Sequence, residues 1–223
     1  MAISVLSHAE ARAAVVDAAR ALFTNGVMSH SGHANLAARV GGEAMLLTVE
    51  GQVRGLGPDG LALVRLDGTV LEGTLDPGNA EIITMHSEVY KARPQVGGII
   101  HTHSPHLLAF AMAGRPLPDR YEALLRFGQA EEVPVVPWAP RGSERSVGGI
   151  IDALARQRGT QAVLLGNHGD LVFGAGPREA AALLTVLEEA AEAELAAAPL
   201  GGAADFPPGA LEDVRASMAR VRS

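Results

Sequence analysis

Apolar positions follow a helical period from His8 to about Asn25, fall into short runs broken by glycine from Asn35 to Glu72, and then alternate between the two modes as far as Ala198. Ser7-His8-Ala9-Glu10 has the form of a capping box, and Asn25-Gly26 is a C-terminal stop, so the spacing predicts a first helix between them. Leu36–Val40, Met45–Val49, Leu61–Leu66 and Thr69–Leu71 are separated by Gly-Gly, Gly-x-Gly and Asp67-Gly68, which predicts hairpin-connected antiparallel strands. Asp76-Pro77-Gly78-Asn79 opens a second predicted helix that runs through Tyr90 and stops before Pro94, and the apolar run Val96–His103 is a buried strand. Beyond it come a helix at Pro105–Ala113, a strand at Val133–Val136, a helix from Ser143 to about Gln157, strands at Gln161–Leu165 and Asp170–Phe173, and a long helix from Pro177 to Ala198. Gly201–Gly209 is linker-like, and Ala210–Arg220 is either a short surface helix or a frayed tail. The pattern divides the chain into one domain over residues 1–200 and a C-terminal extension over 201–223.

Composition narrows the chemistry. A chain of 223 residues with 48% hydrophobic and 19% charged residues supports one sizeable core. Its net charge of -7, with no basic run, argues against nucleic acid as a partner. No stretch has the ~18 apolar residues of a membrane span, and no basic segment precedes an apolar signal core, so a cytoplasmic location is expected. With no cysteine, thiol nucleophiles and thiolate-bound metals are excluded, and any metal must sit on histidine and carboxylate. Lys91 is the only lysine and lies at a solvated helix end, a poor setting for Schiff-base chemistry.

His101-Thr102-His103 carries the most chemical information. In an extended strand residues i and i+2 share a face, so the two imidazoles stand side by side where a buried strand surfaces. His168 follows Ala162-Val163-Leu164-Leu165 in the equivalent place, inside Asn167-His168-Gly169, and a third imidazole there completes a three-histidine metal site with an open position. His86, mid-helix, and His106, in the first turn of the next helix, serve as well in core or cap roles. Glu81 is the best candidate acid/base, in the first turn of the second predicted helix, where an acidic residue is equally explained by the helix dipole. Asn79 is a good N-cap whether or not it touches substrate. Gly55-Leu56-Gly57-Pro58-Asp59-Gly60 fits the dinucleotide-binding expression, but Pro58-Asp59 blocks a helix start and strand residues follow.

These residues resemble the class II aldolase/adducin family, typified by fuculose-phosphate aldolase. The resemblance runs from Gly32-His33-Ala34-Asn35-Leu36-Ala37-Ala38-Arg39 through Leu47-Thr48-Val49-Glu50-Gly51, Glu81, Met85-His86, Tyr90, Arg93-Pro94 and Ile100-His101-Thr102-His103-Ser104-Pro105 to Asn167-His168-Gly169, about four-fifths of the chain. It implies a three-layer α/β/α sandwich around a central mixed, largely antiparallel sheet, assembled as a homotetramer with active sites at subunit interfaces. It also implies a divalent cation, zinc with manganese as the alternative, on His101, His103 and His168. Glu81 resembles the family's acid/base carboxylate, and Tyr121 falls near a tyrosine that some relatives supply from the adjacent subunit. Asn35 and Gly51 match positions that hold a substrate phosphate.

Three departures stand out. The Glu81–His86 interval is one residue longer than in the sugar-phosphate aldolases, Asn79-Ala80 replaces their paired serines, and Glu50 stands where a neutral hydroxyl residue is usual. A carboxylate beside a phosphate is unfavourable, which points to a substrate without one, such as a hydroxy or keto acid, with Arg120, Arg126 or Arg141 as its carboxylate partner. The expected reaction is retro-aldol cleavage of a hydroxy-carbonyl compound through a metal-stabilised enolate. Decarboxylation of a hydroxy-aromatic or 3-oxo acid is the alternative, ahead of epimerisation or a non-catalytic adducin-like role.

Overall fold

A computed structural model describes residues 7–221. Helix α1 (His8–Thr24) begins with the predicted capping box: Ser7 accepts from the Glu10 amide, and the Glu10 carboxylate accepts from the Ser7 amide. The strands are β1 (Asn35–Val40), β2 (Ala44–Thr48), β3 (Leu61–Arg65), β4 (Val70–Glu72), β5 (Gly98–Thr102), β6 (Val135–Val136), β7 (Ala162–Leu165) and β8 (Gly169–Gly174). They form one sheet in the order β4-β3-β2-β1-β5-β8-β7-β6, in which every neighbouring pair is antiparallel except β6–β7.

Strand alternation sorts the core into two halves. Leu36, Ala38, Leu46, Ile100 and Val172 pack on one face against α1, α4 (Pro105–Ala113) and α7 (Pro177–Ala197). Ala37, Met45, Leu47, Ile99, Leu171 and Phe173 pack on the other against α3 (Ile83–Ala92) and α6 (Glu144–Arg156). Burial on both faces accounts for central strands that read as continuous apolar runs, and the result is an α/β/α sandwich. The same parity places His101, two residues after Ile99, toward α3 and α6, and turns Thr102 the opposite way.

Two segments differ from the sequence reading. The second helix is two: α2 (Pro77–Ala80) ends at Glu81, and α3 starts after Ile82. Asn79 turns its side chain inward to Asn35 and Thr48, and Ile82 is 1% exposed, so both residues are anchored to the sheet and the backbone breaks between them. Glu81 is therefore the C-terminal cap position of α2, not a first-turn residue, and it lies exposed. A short α5 (Glu122–Arg126), unassigned from the pattern, buries Leu124 and Leu125. At the C-terminus Ala210–Val221 forms α8, and Arg120 ties Glu194 of α7 to Asp205 in the connecting segment.

Candidate metal centre

Antiparallel pairing of β5 with β8 sets His101 opposite Leu171 and Thr102 opposite Asp170, so the end of β5 meets the start of β8. A tight turn, Gly166 to His168, connects β7 to β8. Asn167 takes φ 55° there, a left-handed conformation that asparagine tolerates better than most side chains. Its amide donates to the Ala111 carbonyl of α4, and the His168 amide donates to Leu165. The turn thus delivers His168 beside the pair from β5. Ring centroids of His101, His103 and His168 lie 5.2, 4.8 and 5.4 Å apart, and one ligand atom from each falls within 4.8 Å of the others.

The donor set fits a divalent cation. Nδ1 of His101 donates to the Asp170 carbonyl at 2.8 Å, which fixes the tautomer and leaves Nε2 with a free lone pair. Burial, reinforced by His168 and His103, holds His101 well below the usual imidazole range. Burial and the neighbouring His168, His33 and Arg141 hold His103 near 4. His168 is lowered by burial first, then by Arg141 and His33. All three rings are accordingly neutral near pH 7, the form that ligates. Three nitrogens each about 2.1 Å from one cation would stand roughly 3.4 Å apart, within the 4.8 Å that spans the set here. Gly169 permits the close approach: a Cβ there would lie 2.6 Å from the His103 ring and 2.3 Å from the Thr102 carbonyl.

A fourth imidazole adjoins the three. His33 stacks on His103 with centroids 5.7 Å apart and an interplanar angle of 11°. The Thr102 hydroxyl, on the opposite side of β5, donates to the His33 carbonyl, and Gly51 leaves room for the ring, since a Cβ there would sit 2.1 Å from it. Ser29, His30 and Ser31 line a cleft of about 450 Å³ with His103, Pro105, Leu108 and His168. The sequence reading singled out neither His33 nor this loop. The dense Ser29-His30-Ser31-Gly32-His33 stretch was the available signal, but its relation to β5 is set by long-range contacts.

The other candidate residues separate. Asn35, paired opposite His101, and Asn79 are both buried; Asn35 donates to Asn79, which donates to the Thr48 carbonyl. Glu81 accepts from Arg141 at 3.2 Å. Tyr121 precedes α5 and is 40% exposed, and among the described residues no hydrogen bond or ring contact joins it to the histidines. His106 bonds to Glu188 through Nδ1.

His86 is a core residue. It is fully buried, neither ring nitrogen has a partner among the described residues, and burial drives it down to about 3. The unfolded chain takes up this proton below about pH 6.5 while the fold does not, so stability is full above that pH and falls as pH drops toward 3. In the metal-free protein His86→Leu is expected to remove up to about 2 kcal/mol of the loss between neutral pH and pH 5. Urea unfolding at both values measures it, and an unchanged difference in the variant would clear His86 of the effect.

Known proteins resemble this chain in sequence and in fold. The chain is 29% identical over 182 residues to a 5-methylthioribulose-1-phosphate/5-deoxyribulose-1-phosphate aldolase of Rhodospirillum rubrum, covering 81% of this chain and 78% of that one. It is 31% identical over 194 residues to a 3,4-dihydroxyphthalate decarboxylase of Arthrobacter keyseri, covering 82% and 76% respectively. An L-fuculose 1-phosphate aldolase superposes with a TM-score of 0.83 at 20% identity, over 97% of this chain and 99% of that one, which shows a shared fold. Residues 13–195 match the class II aldolase and adducin N-terminal domain, and the chain belongs to that family of metal-dependent lyases.

Proposed function

We propose that the chain cleaves a carbon–carbon bond of a hydroxy-carbonyl substrate in the retro-aldol sense, with His101, His103 and His168 holding one divalent cation. The observation that carries this reading is the convergence of three neutral imidazoles, with one ligand atom of each within 4.8 Å of the others and two of the rings, His103 and His168, lining the cleft. An all-nitrogen set with an open position favours zinc, with manganese second. When bound there, a cation would supply Lewis-acid stabilisation of the negative charge that cleavage leaves on a substrate oxygen.

The chain's own groups do the rest. The Asp170 carbonyl keeps His101 in its ligating tautomer, and Gly51 seats His33 against His103. Glu81, exposed at the rim and free to leave Arg141, takes the proton of the substrate hydroxyl. Tyr121, half exposed on the surface of its own subunit, donates to the second substrate oxygen of a neighbouring site in a homotetramer. Asn35 and Asn79 bind substrate only indirectly, by bracing the sheet beneath His101. No described helix is long and apolar enough to cross a membrane, and a cytoplasmic location belongs to the same reading.

Decarboxylation is favoured by two observations: the Asn35 amide group, at a position matched to phosphate binding, is bonded to Asn79, and one relative is named as a 3,4-dihydroxyphthalate decarboxylase. Zinc-loaded protein is to be incubated with hydroxy-ketones and with aromatic hydroxy acids, and aldehyde and carbon dioxide measured separately. Aldehyde release supports retro-aldol cleavage, carbon dioxide moves the reading to a carboxy-lyase, and neither product across the panel sinks both. Glu81→Gln is expected to keep zinc and lose turnover by about a hundredfold or more, since one acid/base group contributes on that order. An active variant removes Glu81 from the mechanism.

A further inference from the structure

The three arginines that the sequence offers as carboxylate partners have different surroundings. Arg120 is held by Glu194 at 2.7 Å and Asp205 at 2.6 Å, in the tie between α7 and the C-terminal segment. Arg126 pairs with Glu122 one turn back on α5 at 2.6 Å. Arg141 stands in the turn before α6, and its one hydrogen bond among the described residues runs from Nε to Glu81. One terminal nitrogen of Arg141 lies 3.6 Å from the position a Cβ on Gly78 would take, against the short α2 segment whose next residue, Asn79, is bonded to Asn35 opposite His101. The guanidinium thus lies against α2, close enough to the histidines for its positive charge to contribute to the lowering of His33, His103 and His168.

The asparagines at the positions where the resemblance puts phosphate contacts are engaged elsewhere. The Asn35 amide group donates to Asn79, and the Asn79 amide group donates to the Thr48 carbonyl, both out of solvent, while Glu50 is exposed beside Gly51. Arg141, by contrast, has two terminal nitrogens with no hydrogen bond among the described residues, and its ion pair with the half-exposed Glu81 is of the kind that contributes little and exchanges readily. A guanidinium fork matches a carboxylate in two parallel hydrogen bonds.

We infer that Arg141 anchors a carboxylate on the substrate, so that the molecule chelated at His101, His103 and His168 is a hydroxy or keto acid and not a sugar phosphate. This rests on the lyase reading above and specifies its substrate class. Glu81, released when Arg141 turns to the acid, is thereby freed for proton transfer.

The test compares two chelating probes that differ by one carboxylate, catechol and 3,4-dihydroxybenzoate, titrated calorimetrically into zinc-loaded protein. Wild type is expected to bind the acid about tenfold or more tighter than catechol, as a charge-assisted bidentate pair would give. Arg141→Gln is expected to erase that preference while zinc content and catechol affinity stay unchanged, and Arg141→Lys to restore it in part. Inorganic phosphate in tenfold excess is expected not to displace the acid. A preference for the acid that survives in Arg141→Gln, no preference in wild type, or displacement by phosphate overturns the assignment. Wild-type protein that takes up no zinc instead overturns the metal-dependent reading on which it rests, so the two failures are told apart by elemental analysis.

Discussion

Replacing His101 with alanine is expected to reduce bound zinc from about one per chain to near none after dialysis, and to abolish turnover with it. Of the three candidate ligands His101 is the most buried, at 2% exposure, and among the described residues the only one whose tautomer is fixed by a backbone carbonyl. Water cannot readily take its place, because the position lies inside the sheet and not in the cleft. Loss of one ligand from a three-nitrogen set leaves His103 and His168, which is a weak site for zinc at neutral pH. A second readout separates metal loss from misfolding. Zinc binding to the folded chain raises its melting temperature by mass action, so saturating zinc should stabilise wild type and leave His101→Ala unmoved at the melting point of its own apo form. His106→Ala serves as the control, since that ring is engaged by Glu188 and should not alter zinc content. Retained stoichiometry in His101→Ala would exclude this histidine, and with it the centre as drawn.

What was legible beforehand follows from the range of the interactions involved. His101 and His103 could be placed side by side from strand parity alone, and His168 from its position at the end of an equivalent apolar run, because both inferences use only a few consecutive residues. The helix over 79–90 had the right local pattern, yet the break at Glu81 is imposed by Asn79, which reaches Asn35 and Thr48, 44 and 31 residues away. Local periodicity carries no trace of such anchors. His33, quoted within the family resemblance, carries no role there for the same reason, since its place depends on Gly51 and on the bridge from His33 to Gln52. The five residues of α5 are too few to establish a period. Three arginines looked alike as sequence and are distinguished only by what surrounds them, with two consumed by ion pairs away from the histidines and one close enough for its charge to contribute to their lowering.

Glu188→Ala is expected to lower stability by about 2–4 kcal/mol, the cost of leaving buried donors without their charged acceptor. The first amides of a helix have no partners within it, and in α4 the N-cap residue, Ser104, makes no side-chain cap bond. Pro105 has no amide proton to satisfy. The next two amides, of His106 and Leu107, donate to the two Glu188 oxygens at 2.8 and 3.0 Å, and His106 Nδ1 adds a third bond at 2.9 Å. A buried carboxylate of α7 thus caps α4 from outside, at the helix end closest to the candidate ligands, two residues after His103. For a domain of this size the loss corresponds to a fall in melting temperature of roughly 5–15 °C. Glu188→Gln keeps one carbonyl acceptor and should lose less, and His106→Ala, which removes only the ring bond, less still. Because α4 follows directly on His103, Glu188→Ala should also weaken zinc binding by about an order of magnitude while saturating zinc still fills one site per chain, a pattern distinct from that of a lost ligand. A melting temperature within a degree or two of wild type would mean that solvent reaches those amides and caps the helix in its place.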